Sequence, residues 1–130
     1  SCVPYNSDLR IRVNPSGLYT YPDASIICGE LEVDPETPNT VINPVVLVEV
    51  LSDSTERYDR GDKAAFYREI PSLRALVLIS QDRPFVECFT KQNTGGWLLT
   101  EARNLNESLV IEPVGISMPL SEIYRNVNFQ

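Results

Sequence analysis

Apolar and polar positions change rhythm several times along this chain, and each change marks an element. Asp8 to Val13 alternates charged and apolar residues, the period of a half-buried strand, and stops at the turn signal Asn14-Pro15-Ser16-Gly17. The return strand of that hairpin is expected from Asp23 to Cys28, after Pro22. Gly29 to Asn43 is acidic and rich in Pro, Asn and Thr, which predicts an exposed loop. Pro44 to Leu51 is valine-rich and almost wholly apolar, so it predicts a strand buried on both faces, at the centre of a sheet. Ser52 to Tyr58 reads as a polar turn, and Asp59-Arg60-Gly61-Asp62 as the capped start of a helix running to about Ile70. Pro71-Ser72 ends it. Ala75 to Ser80 is a second apolar strand, Phe85 to Lys91 and Trp97 to Ala102 form a hairpin about Gln92–Gly96, and Leu109 to Glu112 adds a short strand. Leu120 to Tyr124 closes the chain with one or two helical turns. Strands lead into a helix, a strand and an antiparallel extension, which is a mixed α/β or α+β plan around a central sheet.

Three charges break the pattern. Glu49 interrupts Val45-Val46-Leu47-Val48-Glu49-Val50-Leu51, where an unpaired carboxylate would lose its hydration without replacement. Lys63 heads the stripe Lys63, Phe66, Tyr67, Ile70, the face that a helix turns to its core. It could also reach solvent along its own methylenes. Asp23 opens the run Asp-Ala-Ser-Ile-Ile-Cys. Misplaced charge of this kind is a pointer to a functional site.

Composition narrows the chemistry. With 130 residues, 42% of them hydrophobic and 22% charged, the chain fits one domain with a real core. It contains no histidine, which excludes Ser-His-Asp and Cys-His catalysis and most catalytic zinc sites. Carboxylate, lysine and hydroxyl chemistry remains, with oxygen ligands that select hard ions such as Mg²⁺ or Mn²⁺. Cys2, Cys28 and Cys88 are odd in number and widely spaced, so buried free thiols are expected. The longest apolar run is too short to span a bilayer, and no leader pattern is visible at the start, so a cytoplasmic address is expected. A net charge of −7 disfavours a broad basic surface for nucleic acid but leaves room for a local groove. Arg10 with Arg12, or Arg57 with Arg60 and Lys63, could touch phosphate or simply pair with the abundant acids.

The ordered text carries a family likeness. Ser7-Asp8-Leu9-Arg10, Tyr21-Pro22-Asp23, Asn43-Pro44, Val48-Glu49-Val50-Leu51-Ser52, Ser54-Thr55, Tyr58-Asp59-Arg60, Lys63 and Tyr67 together resemble the Uma-two family of endonucleases, within the PD-(D/E)XK superfamily. That resemblance implies a restriction-endonuclease-like fold, a mixed central sheet with a flanking helix and an antiparallel C-terminal extension. It implies that Asp23 and Glu49 bind the metal, with the Val50 backbone carbonyl as a further ligand, and that Lys63 is the catalytic lysine. The superfamily usually places that lysine two residues after the second acid, where this chain has Leu51; the family carries it on the following helix. Weaker claims attach to Ser52 and Thr55 as water-binding hydroxyls and to Asp59 as support for Lys63. Tyr67 is expected to pack in the core with its hydroxyl satisfied.

The implied activity is Mg²⁺- or Mn²⁺-dependent hydrolysis of DNA phosphodiesters. The alternative is a catalytically silent module that keeps the nuclease fold and acts through dimerisation or partner binding. One departure bears on both: the fold normally opens with a helix, often carrying a further glutamate, whereas this chain starts near its first strand. A single restriction-endonuclease-like domain over 1–130, incomplete at the amino end, is thus expected to cover its bare sheet face with a second copy, as a homo-oligomer and most simply a dimer.

Overall fold

The valine-rich segment forms β6, Val46–Leu51, and it lies inside the main sheet as its composition predicts. In this computed structural model the described residues are 1–14, 17–52 and 59–129, with Asp59 and Arg60 described by their backbone alone. The main sheet has six strands in the order β1-β4-β6-β7-β8-β9, formed by Cys2–Tyr5, Ala24–Cys28, Val46–Leu51, Ala75–Ser80, Val86–Lys91 and Trp97–Ala102. Among the described residues of this sheet only β6 and β7 pair in parallel, and the chain between them crosses over through a helix, as such a connection commonly does. That crossover contains a π-helical turn, Asp59–Lys63, running into α1, Ala64–Tyr67. It is shorter than the expected helix to Ile70, because tight backbone bonds from Glu69 to Phe66 and from Ile70 to Tyr67 unwind its end.

Side chains of β6 alternate between two cores. Leu47 and Leu51 face a cluster with Ile11, Val13, Ala64, Tyr67, Ile70, Leu73, Leu76 and Leu78. Val46 faces the opposite cluster with Ala75, Val77, Val86, Leu109, Ile111, Leu120 and Tyr124. The first face is covered by α1 and by a three-stranded sheet of β3 (Tyr19–Thr20), β2 (Arg10–Arg12) and β5 (Thr40–Val41). The second is covered by the hairpin β10 (Ser108–Ile111) and β11 (Ile116–Pro119), followed by α2, Leu120–Ile123. The strand is packed on both sides over most of its length, but Val50, near its end, is 40% exposed rather than buried as expected; the packed part holds its side chains in fixed directions, and that precision matters for Glu49.

Several expectations need correction. The hairpin partner of β2 is β3, not the segment from Asp23 to Cys28, because Ile11 pairs with Thr20 while Ala24–Cys28 joins the main sheet between β1 and β6. Phe66 points outward, 41% exposed, since it sits at the flank of the stripe that buries Tyr67 and Ile70. The acidic segment after Gly29 is not wholly exposed: Asp34, Thr40 and Val41 are buried, tied down by Arg10, Arg12 and the parallel pairing of β5 with β2.

The thiols differ too. Cys88 is buried and free as expected, but Cys2 and Cys28 form a disulfide, because antiparallel pairing of β1 with β4 sets them directly opposite each other. The bond ties the edge strand to the strand behind Asp23 across a separation of 26 residues. Reducing it is expected to lower the unfolding free energy by about 3 kcal/mol on the loop-entropy scale. Melting curves with and without dithiothreitol check this, and a Cys2→Ser protein should match the reduced curve.

Candidate active site

Register brings the two acids together. β4 and β6 run antiparallel with Ala24 opposite Val48, so one step further Asp23 stands opposite Glu49, on the face of Ser25, Leu47 and Leu51. Pro22 precedes it and presents no N–H, which suits a segment leaving one sheet to enter another. Asp23 Oδ2 accepts the Val50 N–H at 2.7 Å. The N–H and C=O of one strand residue point to the same side, so the Val50 carbonyl faces that edge as well, while the Leu51 carbonyl turns the other way to accept from Gln81. The two carboxyl groups thus come together where the β4–β6 pairing ends, with the Val50 backbone on the same edge.

Glu49 is only 5% exposed. Its Oε1 accepts the Tyr67 hydroxyl at 2.6 Å and lies 3.4 Å from the Lys63 ammonium. Burial pushes the Glu49 carboxyl above its ordinary value; Tyr67 and Lys63 oppose the shift, and the nearby Asp23 carboxyl adds to it. Lys63 does not simply snorkel. Its side chain is 32% exposed and spans from solvent to the buried carboxylate, with the ammonium 5.9 Å from the centre of the Tyr67 ring. It is the last residue of the π-helical turn, a kind of local widening that re-aims side chains and recurs at functional sites.

The three charged residues singled out by sequence therefore meet, with Val50 beside them. Tyr67 is buried with its hydroxyl satisfied, as expected, but its partner is Glu49 itself. Thr20 was not signalled by any sequence pattern; its hydroxyl lies 2.7 Å from the Tyr67 hydroxyl. A Tyr four residues after a functional Lys on one helix face was the available hint for Tyr67. Arg10 and Arg12 are engaged structurally: Arg10 bonds Thr40 and the Pro38 carbonyl, and Arg12 pairs with the buried Asp34. Ser52 is half-buried just after β6, whereas Thr55, Arg57 and the side chains of Asp59 and Arg60 lie outside the described residues. On the Lys63 and Tyr67 side, a cavity of about 150 Å³ that neither acid lines, bounded also by Leu18, Tyr19, Thr20 and Phe66, opens to solvent.

Comparison with known sequences decides the family. Residues 1–121 match the Uma2 family, described as "Putative restriction endonuclease". The chain belongs to the Uma2 family. Two relatives from Synechocystis sp. are the uncharacterized proteins slr1290, 34% identical over 128 residues, and sll1609, 37% identical over 103. These alignments take in 98% and 79% of this Uma2 chain but 66% and 58% of the respective relatives, so it spans only part of their length. A crystal structure titled as a putative nuclease belonging to DUF820, from Anabaena variabilis, superposes with a TM-score of 0.72 at 13% identity, over 95% of this chain and 68% of that one. The mixed α+β architecture of this Uma2 chain is therefore that of a nuclease-fold protein. Among the described residues, no helix is long and apolar enough to cross a membrane.

Proposed function

We propose that this Uma2 domain is a divalent-metal-dependent DNA endonuclease in which Asp23, Glu49 and the Val50 carbonyl hold the ion and Lys63 assists the reaction. The observation that carries the reading is the placement of Asp23 opposite Glu49 at the end of the β4–β6 pair. Like charges directly across an antiparallel pair destabilise it, and one half-exposed ammonium leaves the buried carboxyl with a raised pKa. A cation between the carboxylates would relieve both costs. The donor set fits Mg²⁺ or Mn²⁺, being made of carboxylate and carbonyl oxygens alone. Such an ion, when bound, supplies Lewis acidity toward phosphate and water.

The protein's own groups supply the rest. Asp23, fixed by the Val50 N–H, and Glu49, fixed from behind by Tyr67, are held at set positions by strands that cannot shift without disturbing both cores. Lys63 reaches the same carboxylate from the solvent side, where its ammonium can hold a phosphate oxygen and stabilise the charge that grows there.

A second reading, a catalytically silent nuclease-fold module acting through a dimer or another partner, draws on two observations. No group of three or more acid, Cys or His side chains suited to a metal occurs among the described residues. Arg10 and Arg12 are also spent on internal contacts in a chain of net charge −7. Plasmid cleavage in Mg²⁺ or Mn²⁺ separates the two. The endonuclease reading expects nicking or linearisation by the wild type, reduced at least about 100-fold in Asp23→Asn. Equal cleavage by both proteins would point to a contaminant or another site and would sink it.

A further inference from the structure

We infer that Tyr67 and Thr20 are positioning residues for the metal site, a two-hydroxyl chain that fixes which oxygen of Glu49 the ion receives. This inference rests on the proposal that Asp23 and Glu49 hold a divalent cation, and it adds residues from two further elements to that site.

A tyrosine hydroxyl has one proton to give. Tyr67 gives it to Glu49 Oε1 at 2.6 Å, so in its 2.7 Å contact with Thr20 the Tyr67 oxygen accepts and the Thr20 hydroxyl donates. The chain is therefore directional, running from Thr20 on β3 through Tyr67 on α1 to Glu49 on β6. It joins the small sheet, the crossover helix and the main sheet at one carboxylate. Oε1 already receives Tyr67 and faces the Lys63 ammonium at 3.4 Å, so Oε2 is the oxygen that would be offered to an ion.

Without the hydroxyl, the carboxylate would keep only the flexible Lys63 and the like-charged Asp23 as side-chain neighbours, and it would turn more readily about its last torsion, a broad and soft one. The Tyr67 residue is 2% exposed, so phenylalanine keeps the apolar packing of the ring and removes only the hydroxyl that bonds Glu49 and Thr20. Outer partners that orient a metal-binding carboxylate set metal affinity through geometry, and losing one costs about 10- to 100-fold in affinity or activity.

The test is Mn²⁺ binding by titration calorimetry, read beside melting temperature and beside cleavage at saturating Mn²⁺. Tyr67→Phe is expected to weaken Mn²⁺ about 10- to 100-fold. Cleavage at saturating ion should recover to within a few-fold of the wild type, the split that a positioning role predicts. Thr20→Val should shift affinity the same way by a smaller factor, and Thr20→Ser should restore it; this pair keeps the test decisive if Tyr67→Phe folds poorly. Wild-type Mn²⁺ affinity in Tyr67→Phe and in Thr20→Val, whatever their melting temperatures, would overturn the inference while leaving the metal site standing. A wild type that binds no Mn²⁺ would overturn the metal site and this inference together.

Discussion

Glu49→Gln is expected to melt above the wild type in the absence of divalent ions at neutral pH, while its cleavage falls by about 10³-fold. The two changes have one cause. In the ion-free protein the Glu49 carboxylate is nearly dehydrated, faces Asp23 and is only partly compensated by Lys63, so its folded pKa is raised. The unfolded chain ionises Glu49 near the ordinary value of 4.5. As pH rises from there to the raised folded value, the folded state holds the extra proton, so stability falls across that window and stays low above it. Glutamine removes the charge, still accepts from Tyr67 through its carbonyl, and can donate an amide hydrogen to Asp23. A gain of about 1 kcal/mol follows from relieving a poorly compensated buried charge. Divalent ions should reverse the order. Mn²⁺ at about 100 times its dissociation constant adds about 2.7 kcal/mol to the wild type and nothing to a variant that cannot bind it. Calorimetric melts at pH 4 and pH 7, with and without Mn²⁺, check all three signs. A Glu49→Gln protein that melts below the ion-free wild type at pH 7 would show that the carboxylate is a structural counter-ion to Lys63.

How much of this was legible in the sequence differs by residue, for physical reasons. Glu49 was visible because a charge in a valine strand violates a strong local rule, and β6 was visible for the same reason. Lys63 was visible from helical periodicity, although the same periodicity misplaced Phe66, which sits at the edge of the buried arc. Asp23 had a weaker signal, a charge at the head of an apolar run rather than inside one. Its meaning depends on the β4–β6 register, a long-range pairing that nothing around Tyr21-Pro22-Asp23 encodes, and only the family likeness gave it a role. The same limit hid the Cys2–Cys28 bond, which needs β1 against β4. Strands of two residues, such as Tyr19–Thr20 and Thr40–Val41, are too short to show a period, so the small sheet and the role of Thr20 went unseen. β1 also lacked a pattern, because Cys2, Val3 and Pro4 are all exposed and leave no clean alternation in Cys2–Tyr5.

Replacing Lys63 by methionine should separate its two possible roles, since the methionine stem fills similar space without the ammonium. In the ion-free protein Lys63 offsets part of the charge on Glu49, 3.4 Å from Oε1, and a divalent ion competes with it for that charge. Lys63→Met should therefore bind Mn²⁺ more tightly, by about 2- to 5-fold, the scale of one partly exposed ion pair. Cleavage at saturating Mn²⁺ should nevertheless fall about 10²- to 10³-fold, because the cation placed to stabilise charge on the reacting phosphate is gone. The opposite movement of affinity and rate is the informative outcome. A lysine that served only to neutralise Glu49 would become dispensable once the ion had taken over that task, so the variant would cleave at the wild-type rate when saturated. Single-turnover cleavage across a Mn²⁺ titration reads both quantities from one experiment. Lys63→Arg sharpens it, since arginine restores the charge but carries it on a broader, planar group that a pocket shared with Tyr67 and Phe66 accommodates less closely. It should recover the wild-type affinity more fully than the wild-type rate.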